Sequence, residues 1–130
     1  MVRTFALICG ATAFAATLGA MSIAAGNLVN PPLVRIAELE IDPGQLAAYR
    51  NALSDEIATS IRVEPGVLTL YAVSVKGNPT QIRIFETYKD QAAYEAHLQS
   101  PHFKKYKTET QNMVKALKLI EADPIMLSAK

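Results

Sequence analysis

A histidine on a predicted helix is the side chain best placed for chemistry in this sequence. His97 follows Ala93 by four residues and Tyr94 by three, so the three share one face of a helix that Asp90 can cap. An imidazole has an unperturbed pKa of about 6.5, which suits His97 to moving a proton near neutral pH. The same spacing also fits a hydrogen-bonded histidine at the edge of a core, with no catalytic role.

Glu86 is the unusual residue of the strand that precedes this helix. It shares a predicted strand face with Ile82 and Ile84, both of which are apolar. A carboxylate in that position is either a base whose pKa is raised by burial or one half of an ion pair with Arg35 or Arg62. Both interpretations stay open at this stage.

Aromatic side chains surround the two candidates in sequence. Tyr88, Tyr94 and Phe85 are candidates for shaping a pocket, and the two tyrosine hydroxyls can hydrogen-bond a ligand. The alternative is an amphipathic rim around the core. His102 follows Ser100-Pro101, a predicted helix start, and is expected to face solvent.

Motifs for cofactors and metals are absent from the sequence. It contains no Gly-rich phosphate loop, no His-Glu-x-x-His and no carboxylate cluster at metal-ligand spacing. Its only cysteine, Cys9, lies in the N-terminal apolar segment. The sequence therefore predicts neither a metal nor a cofactor.

The N-terminal segment, residues 1–26, has the pattern of a secretory signal peptide. Arg3 is followed by an apolar stretch that ends in small residues, and the next charged residue is Arg35. Residues 27–32 then form a short linker. We expect an exported protein, periplasmic or secreted; the alternative is an uncleaved membrane anchor or lipid tether.

The charge balance argues against polyanionic partners. Removing Arg3 from the 13 basic residues leaves 12, against 12 acidic residues, so the remaining chain is formally neutral. This predicts no nucleic-acid partner, and a membrane contact only if the N-terminal segment is retained.

Turn signals divide the rest of the chain into the order β-α-β-β-α-α-β. Each predicted element lies between turn signals that contain Pro or Gly. The helices are indicated by apolar residues that recur every three or four positions. The predicted strands are 33–41, 67–75, 81–88 and about 117–127, with a five-residue loop, 76–80, in the hairpin. The first helix is predicted from Asp42-Pro43 to about Arg62 and the second over 91–99. A third is predicted after Ser100-Pro101, because apolar residues recur at helical spacing as far as Met113 and Leu117.

This order predicts one α+β domain, residues 33–128, of the ferredoxin-like class. Its four-stranded antiparallel sheet would carry helices on one face only. Because the strands are apolar on both faces, the second face needs another layer. A second copy of the chain is the simplest layer, which predicts a homodimer packed sheet to sheet.

Two segments resemble one known family. "EPGVLTLYAV" (64–73) and "IRIFETYKDQAAYEAHLQSPHFKKY" (82–106) are similar to the antibiotic biosynthesis monooxygenase domain, including its quinol-monooxygenase-like members. The resemblance extends over about 33–127. It implies a dimeric α+β barrel with a pocket between sheet and helices, and a helix histidine at the position of His97.

The resemblance also implies an activity. Several members oxidise electron-rich phenols or quinols with molecular oxygen and use neither metal nor flavin. Heme-degrading members combine a helix histidine with a tryptophan and a first-strand asparagine; those positions hold Tyr88 and Leu39 here, which argues against heme degradation.

Three functions are therefore compatible with the sequence. The first is a cofactor-independent monooxygenase of a small quinol-like or phenolic aromatic, with His97 handling the proton. The second is an isomerase or degrading enzyme for a small reactive carbonyl metabolite. The third is a dimeric binding protein for an apolar small molecule, favoured if His97 has no second titratable group beside it.

Overall fold

The computed structural model describes residues 31–129, which form a four-stranded antiparallel sheet with helices on one face. The predicted signal peptide, 1–26, and most of the predicted linker lie outside the described residues. Across the sheet the strands follow the order β2-β3-β1-β4. The elements are β1 (Leu33–Ile41), α1 (Leu46–Val63, after a 3₁₀ turn at Pro43–Gln45), β2 (Val67–Val75), β3 (Asn78–Tyr88), α2 (Gln91–Gln99), α3 (Pro101–Thr110) and β4 (Val114–Ala122).

This topology confirms the predicted ferredoxin-like α+β class. The break between α2 and α3 also lies where it was predicted, because the Ser100 hydroxyl accepts from the Phe103 N–H and Pro101 occupies the first turn, where no N–H is needed. Within residues 31–129 no helix combines the length and the apolarity needed to cross a membrane.

The hairpin and the last strand differ from their predicted bounds. β3 begins at Asn78, which pairs with Val75, because Gly77 turns the chain with a φ of 81° in a shorter loop than predicted. The apolar spacing at Met113 and Leu117 is not helical: α3 ends at Thr110, and Leu117 pairs with β1. The strand ends before Asp123–Pro124 instead of running to residue 127.

The core lies between the sheet and the helices. Alternate residues of β1 and β3 point into it and pack on α1 and α3, where the hydroxyls of Tyr49 and Tyr106 are 2.8 Å apart. The buried members of this cluster are Ala37, Leu39, Ile41, Tyr49, Leu53, Ile82, Ile84 and Tyr106.

The helices leave the β4 edge of this face open. Leu117 and Leu119 pair with Leu39 and Ala37, so they lie on the helix-covered face, yet they are 45% and 52% exposed. A space therefore remains above β1 and β4.

Candidate functional site

A cavity of about 500 Å³ occupies this space between the sheet and the helices. Aromatic and titratable side chains line it, among them Tyr88, Tyr94 and His97. Its volume is in the range of small-molecule sites. A larger groove, about 850 Å³, lies between α1 and β2, but it is lined by aliphatic and hydroxyl groups with Tyr71 and Arg50 and by no histidine or carboxylate. The smaller cavity is therefore the candidate site.

His97 is held in this cavity wall by the start of α2 and by a carboxylate. Asp90 caps the start of α2, its side chain accepting from the Ala93 N–H, and about two turns later the helix places His97 at 3% exposure. The His97 Nδ1 lies 3.0 Å from Glu64 Oε1, while its Nε2 is 3.7 Å from Glu56 Oε1, beyond hydrogen-bond range. With Glu64 ionised, Nδ1 carries the proton and Nε2 keeps a free lone pair.

Glu64 binds a second histidine as well. It lies in the Glu64-Pro65-Gly66 turn after α1, and its Oε1 also accepts from His102 Nε2 at 2.5 Å. Burial raises the pKa of the Glu64 carboxyl, but the hydrogen bonds from His97 and His102 outweigh this and leave the pKa below its ordinary value. His102 is thus half-buried against Glu64. The prediction that it faces solvent was wrong.

Glu86 is paired with a tyrosine instead of an arginine. The Tyr88 hydroxyl donates to Glu86 Oε2 at 2.8 Å, and Tyr88 is fully buried. Burial raises the pKa of Glu86, even though the Tyr88 hydrogen bond opposes that rise. Arg35, directly opposite Glu86 in the sheet, pairs with Glu121 at 2.7 Å.

Most of the candidate residues from the sequence meet in this cavity. The ring centroids of Tyr88 lie 5.2 Å from Tyr94 and 5.4 Å from His97, and Glu86 lines the same wall. Phe85 does not join them, because strand side chains alternate and it points to the opposite face of the sheet.

Sequence reasoning missed the carboxylates that surround His97. Glu56 is 6% exposed and accepts from the Ser60 hydroxyl at 2.6 Å. The available signal was spacing, since Tyr49, Leu53, Glu56 and Ser60 are all buried on one face of α1. Glu64 gave no periodic signal because it lies in a turn.

One set of side chains has the composition of a metal site. Ligand atoms of Glu56, His97 and His102 lie within 4.8 Å of one another, and imidazole with carboxylate suits a divalent transition ion. The sequence predicted no metal, because these residues come from three helices and have no common spacing. Both histidines already hydrogen-bond Glu64.

Known proteins that resemble the chain share its fold. The family model described as antibiotic biosynthesis monooxygenase matches residues 32–109, more than half of the chain. The chain belongs to this family. The match includes β1, α1 and the whole His97 region, and it ends before β4.

Solved structures agree with this membership in the antibiotic biosynthesis monooxygenase family. A Bacteroides thetaiotaomicron protein assigned as such a monooxygenase is 46% identical, with a TM-score of 0.75 over 78% of this chain and 97% of its own. A Lactobacillus acidophilus protein assigned as a monooxygenase is 28% identical, with a TM-score of 0.67 over 68% of this chain and 42% of its own.

A Pseudomonas aeruginosa structure matches at 23% identity, with a TM-score of 0.70 over 75% of this chain and 98% of its own, and supports the fold alone. Among proteins with curated descriptions, none matches the chain.

Proposed function

We propose that this protein is a cofactor-independent monooxygenase that oxidises a small quinol-like or phenolic aromatic with molecular oxygen. One observation carries the proposal: in a cavity of aromatic-ligand size, the Glu64–His97 pair leaves His97 Nε2 free to accept a proton. Family membership supports the reaction class.

His97 would begin the reaction by taking a phenolic proton. General-base catalysis of this kind contributes roughly 10²–10⁴-fold. Glu64 stabilises the resulting imidazolium, since it already accepts from Nδ1. The remaining phenolate is electron-rich, and its ring would pack against buried Tyr88 and half-buried Tyr94.

The electrons for oxygen come from the substrate itself. The quinolate gives one electron to O₂, the two radicals combine through a C–O bond, and the peroxide takes a proton from imidazolium. Loss of the ring C–H proton and cleavage of the O–O bond then release water and leave a hydroxyquinone. Quinol plus O₂ thus gives hydroxyquinone plus water, and no separate reductant is required.

The binding-protein alternative loses its main support. It depended on His97 having no titratable neighbour, and Glu64 lies 3.0 Å and Glu56 3.7 Å from its ring nitrogens. The carbonyl-isomerase alternative would also use this base, but it would form product without oxygen.

The deciding experiment is oxygen uptake by the full chain with dihydroxynaphthalenes and hydroquinones, counted above a protein-free blank. His97→Ala should reduce the excess uptake about tenfold or more, which corresponds to about 1.4 kcal/mol of transition-state stabilisation. Uptake at the blank rate with the wild-type protein would refute the proposal for this panel, and product formation under anaerobic conditions would favour the isomerase.

Two further expectations from the sequence belong to this proposal. We propose a homodimer, supported by the apolar outer sheet face, and an exported protein, supported by the apolar segment 1–26.

A further inference from the structure

Arg35 has more hydrogen-bond donors than the described part of the chain uses. Its guanidinium has five N–H donors, and within residues 31–129 its one hydrogen bond runs from Nη2 to Glu121. The Nε of Arg35 is buried and has no acceptor among the described residues. Leaving a buried donor without an acceptor costs free energy, so such a group calls for an explanation.

The surroundings of Arg35 hold it in the cavity wall. Its side chain is 12% exposed, and the guanidinium carbon lies 4.0 Å from the centroid of the Tyr94 ring. Arg35 and His97 line the same cavity. Stacking on Tyr94 and the ion pair with Glu121 hold the Arg35 guanidinium in place. Its remaining N–H groups are available to a ligand.

Two further cations and two carboxylates line the cavity. Lys107 on α3 and Lys115 on β4 line it and are exposed. Its two carboxylates are already hydrogen-bonded, Glu56 by the Ser60 hydroxyl and Glu86 by the Tyr88 hydroxyl. A negatively charged oxygen would therefore find its free donors on Arg35.

We propose that Arg35 binds an anionic oxygen of the ligand, so that the site selects aromatic molecules carrying an ionised hydroxyl over their neutral analogues. The inference rests on the proposed function for the aromatic class of the ligand. It adds that the ligand is held as an anion at Arg35 while His97 faces a second position of the same molecule.

The test is a comparison of two ligands of nearly equal shape. The hydroxyl of 2-hydroxy-1,4-naphthoquinone is ionised at neutral pH, whereas 2-methyl-1,4-naphthoquinone has a methyl group there and no charge. Affinities for the full chain are measured by calorimetric titration, which needs no turnover. We expect the wild-type protein to bind the anion about tenfold more tightly or better, and to lose that preference when acid protonates the hydroxyl.

Variants assign the preference to Arg35. Arg35→Gln should bind both ligands equally, with the affinity for the methyl compound unchanged, which also shows an intact cavity. Arg35→Lys keeps the charge without the guanidinium fork and should retain only part of the preference. The matched control is Arg83→Gln. Arg83 comes directly after Ile82, so its side chain points to the sheet face opposite the cavity, where its Nε lies 3.7 Å from Glu38 Oε1.

Three results would overturn the inference. These are equal wild-type affinity for the two ligands, a preference that survives in Arg35→Gln, or no binding of either ligand. None of them bears on His97 as a base, which oxygen uptake tests separately. Conversely, anion-selective binding without oxygen uptake would keep Arg35 as the anchor and remove the monooxygenase proposal.

Discussion

Glu64 determines which nitrogen of His97 carries the proton. A free imidazole exchanges its proton between two nitrogens, but the Glu64 carboxylate, with its lowered pKa, holds that proton at His97 Nδ1. The same carboxylate also binds His102, so one turn residue positions side chains from two helices.

Replacing Glu64 by glutamine tests this role. Glu64→Gln keeps the shape but lacks the charge that stabilises imidazolium, so we expect oxygen uptake to fall by about 10²-fold. The measurement is a pH–rate profile. Glu95→Gln, which neutralises an exposed carboxylate on α2, serves as the control and should leave the profile unchanged. Wild-type rates in Glu64→Gln at every pH would contradict the assignment.

Glu86 should destabilise the fold at neutral pH. Its pKa is raised in the folded protein, so its favourable contribution is present at acid pH and is lost as the pH rises past the unfolded value of 4.5. Glu86→Gln cannot ionise and still accepts from Tyr88. We expect it to gain free energy of unfolding relative to wild type near pH 7.5 but not near pH 4, measured by urea denaturation.

Glu64→Gln should show the opposite dependence. Because the folded pKa of Glu64 is lowered, its contribution is present above pH 4.5 and is lost as the pH falls through the folded pKa. The variant should therefore lose stability at neutral pH and approach the wild type in acid. The same sign of change for both variants would contradict these two directions.

At the scale of elements, the placement of His97 depends on how closely α2 approaches the turn before β2. A Cβ added at Gly66 would lie 2.5 Å from the Ala93 Cβ, far closer than atoms pack. The Gly66 carbonyl also accepts from the Lys89 N–H at 2.8 Å, which fixes the connection into α2.

Gly66→Ala should therefore destabilise the protein by about 1–3 kcal/mol, because it overpacks this contact. The check is urea unfolding with a second substitution: Gly66→Ala combined with Ala93→Gly removes the clash and should recover part of the loss. Recovery is limited by the cost of glycine in a helix, about 1 kcal/mol. A double variant whose loss is the sum of the two single losses would argue against the clash.

The element order was predictable from the sequence because the turn signals and the spacing of apolar residues indicated the same elements. Asp90 and Ser100 cap the predicted starts of α2 and α3, and Asp42 caps the 3₁₀ turn that leads into α1; these caps are local in sequence. The end of α3 was not predictable, since Met113 and Leu117 fit helix and strand spacing equally, and the pairing of Leu117 with Leu39 decides between them. Likewise Glu56 and Glu64 meet His97 only through tertiary packing, over 33 residues or more of chain.

At the scale of the molecule, the sheet has two different faces. The helices cover one, while the other exposes Tyr71 and Val73 at 64% and 61% and also carries Phe85. Large apolar side chains grouped on an exposed sheet face mark an interaction surface. A homodimer through this face remains the proposal.

A charge on this face should separate the proposed dimer. Tyr71→Asp places a carboxylate in the contact, and we expect the variant to elute as a monomer whose mass is measured by light scattering. Lys76→Asp, in the β2–β3 turn, is the control for a change of charge alone. A wild-type protein that is monomeric at high concentration would contradict the proposal.

The open β4 edge has a consequence for changing what the protein accepts. His97, its partner Glu64 and the proposed anion-binding Arg35 all precede residue 110, whereas Leu117 and Leu119 border the cavity from β4. The proton-transfer and anion-binding residues are thus encoded apart from the residues that shape the open side of the cavity. A library randomised at these two codons would vary the ligand range while the proton-transfer and anion-binding groups stay in place, which makes β4 a natural starting point for directed evolution.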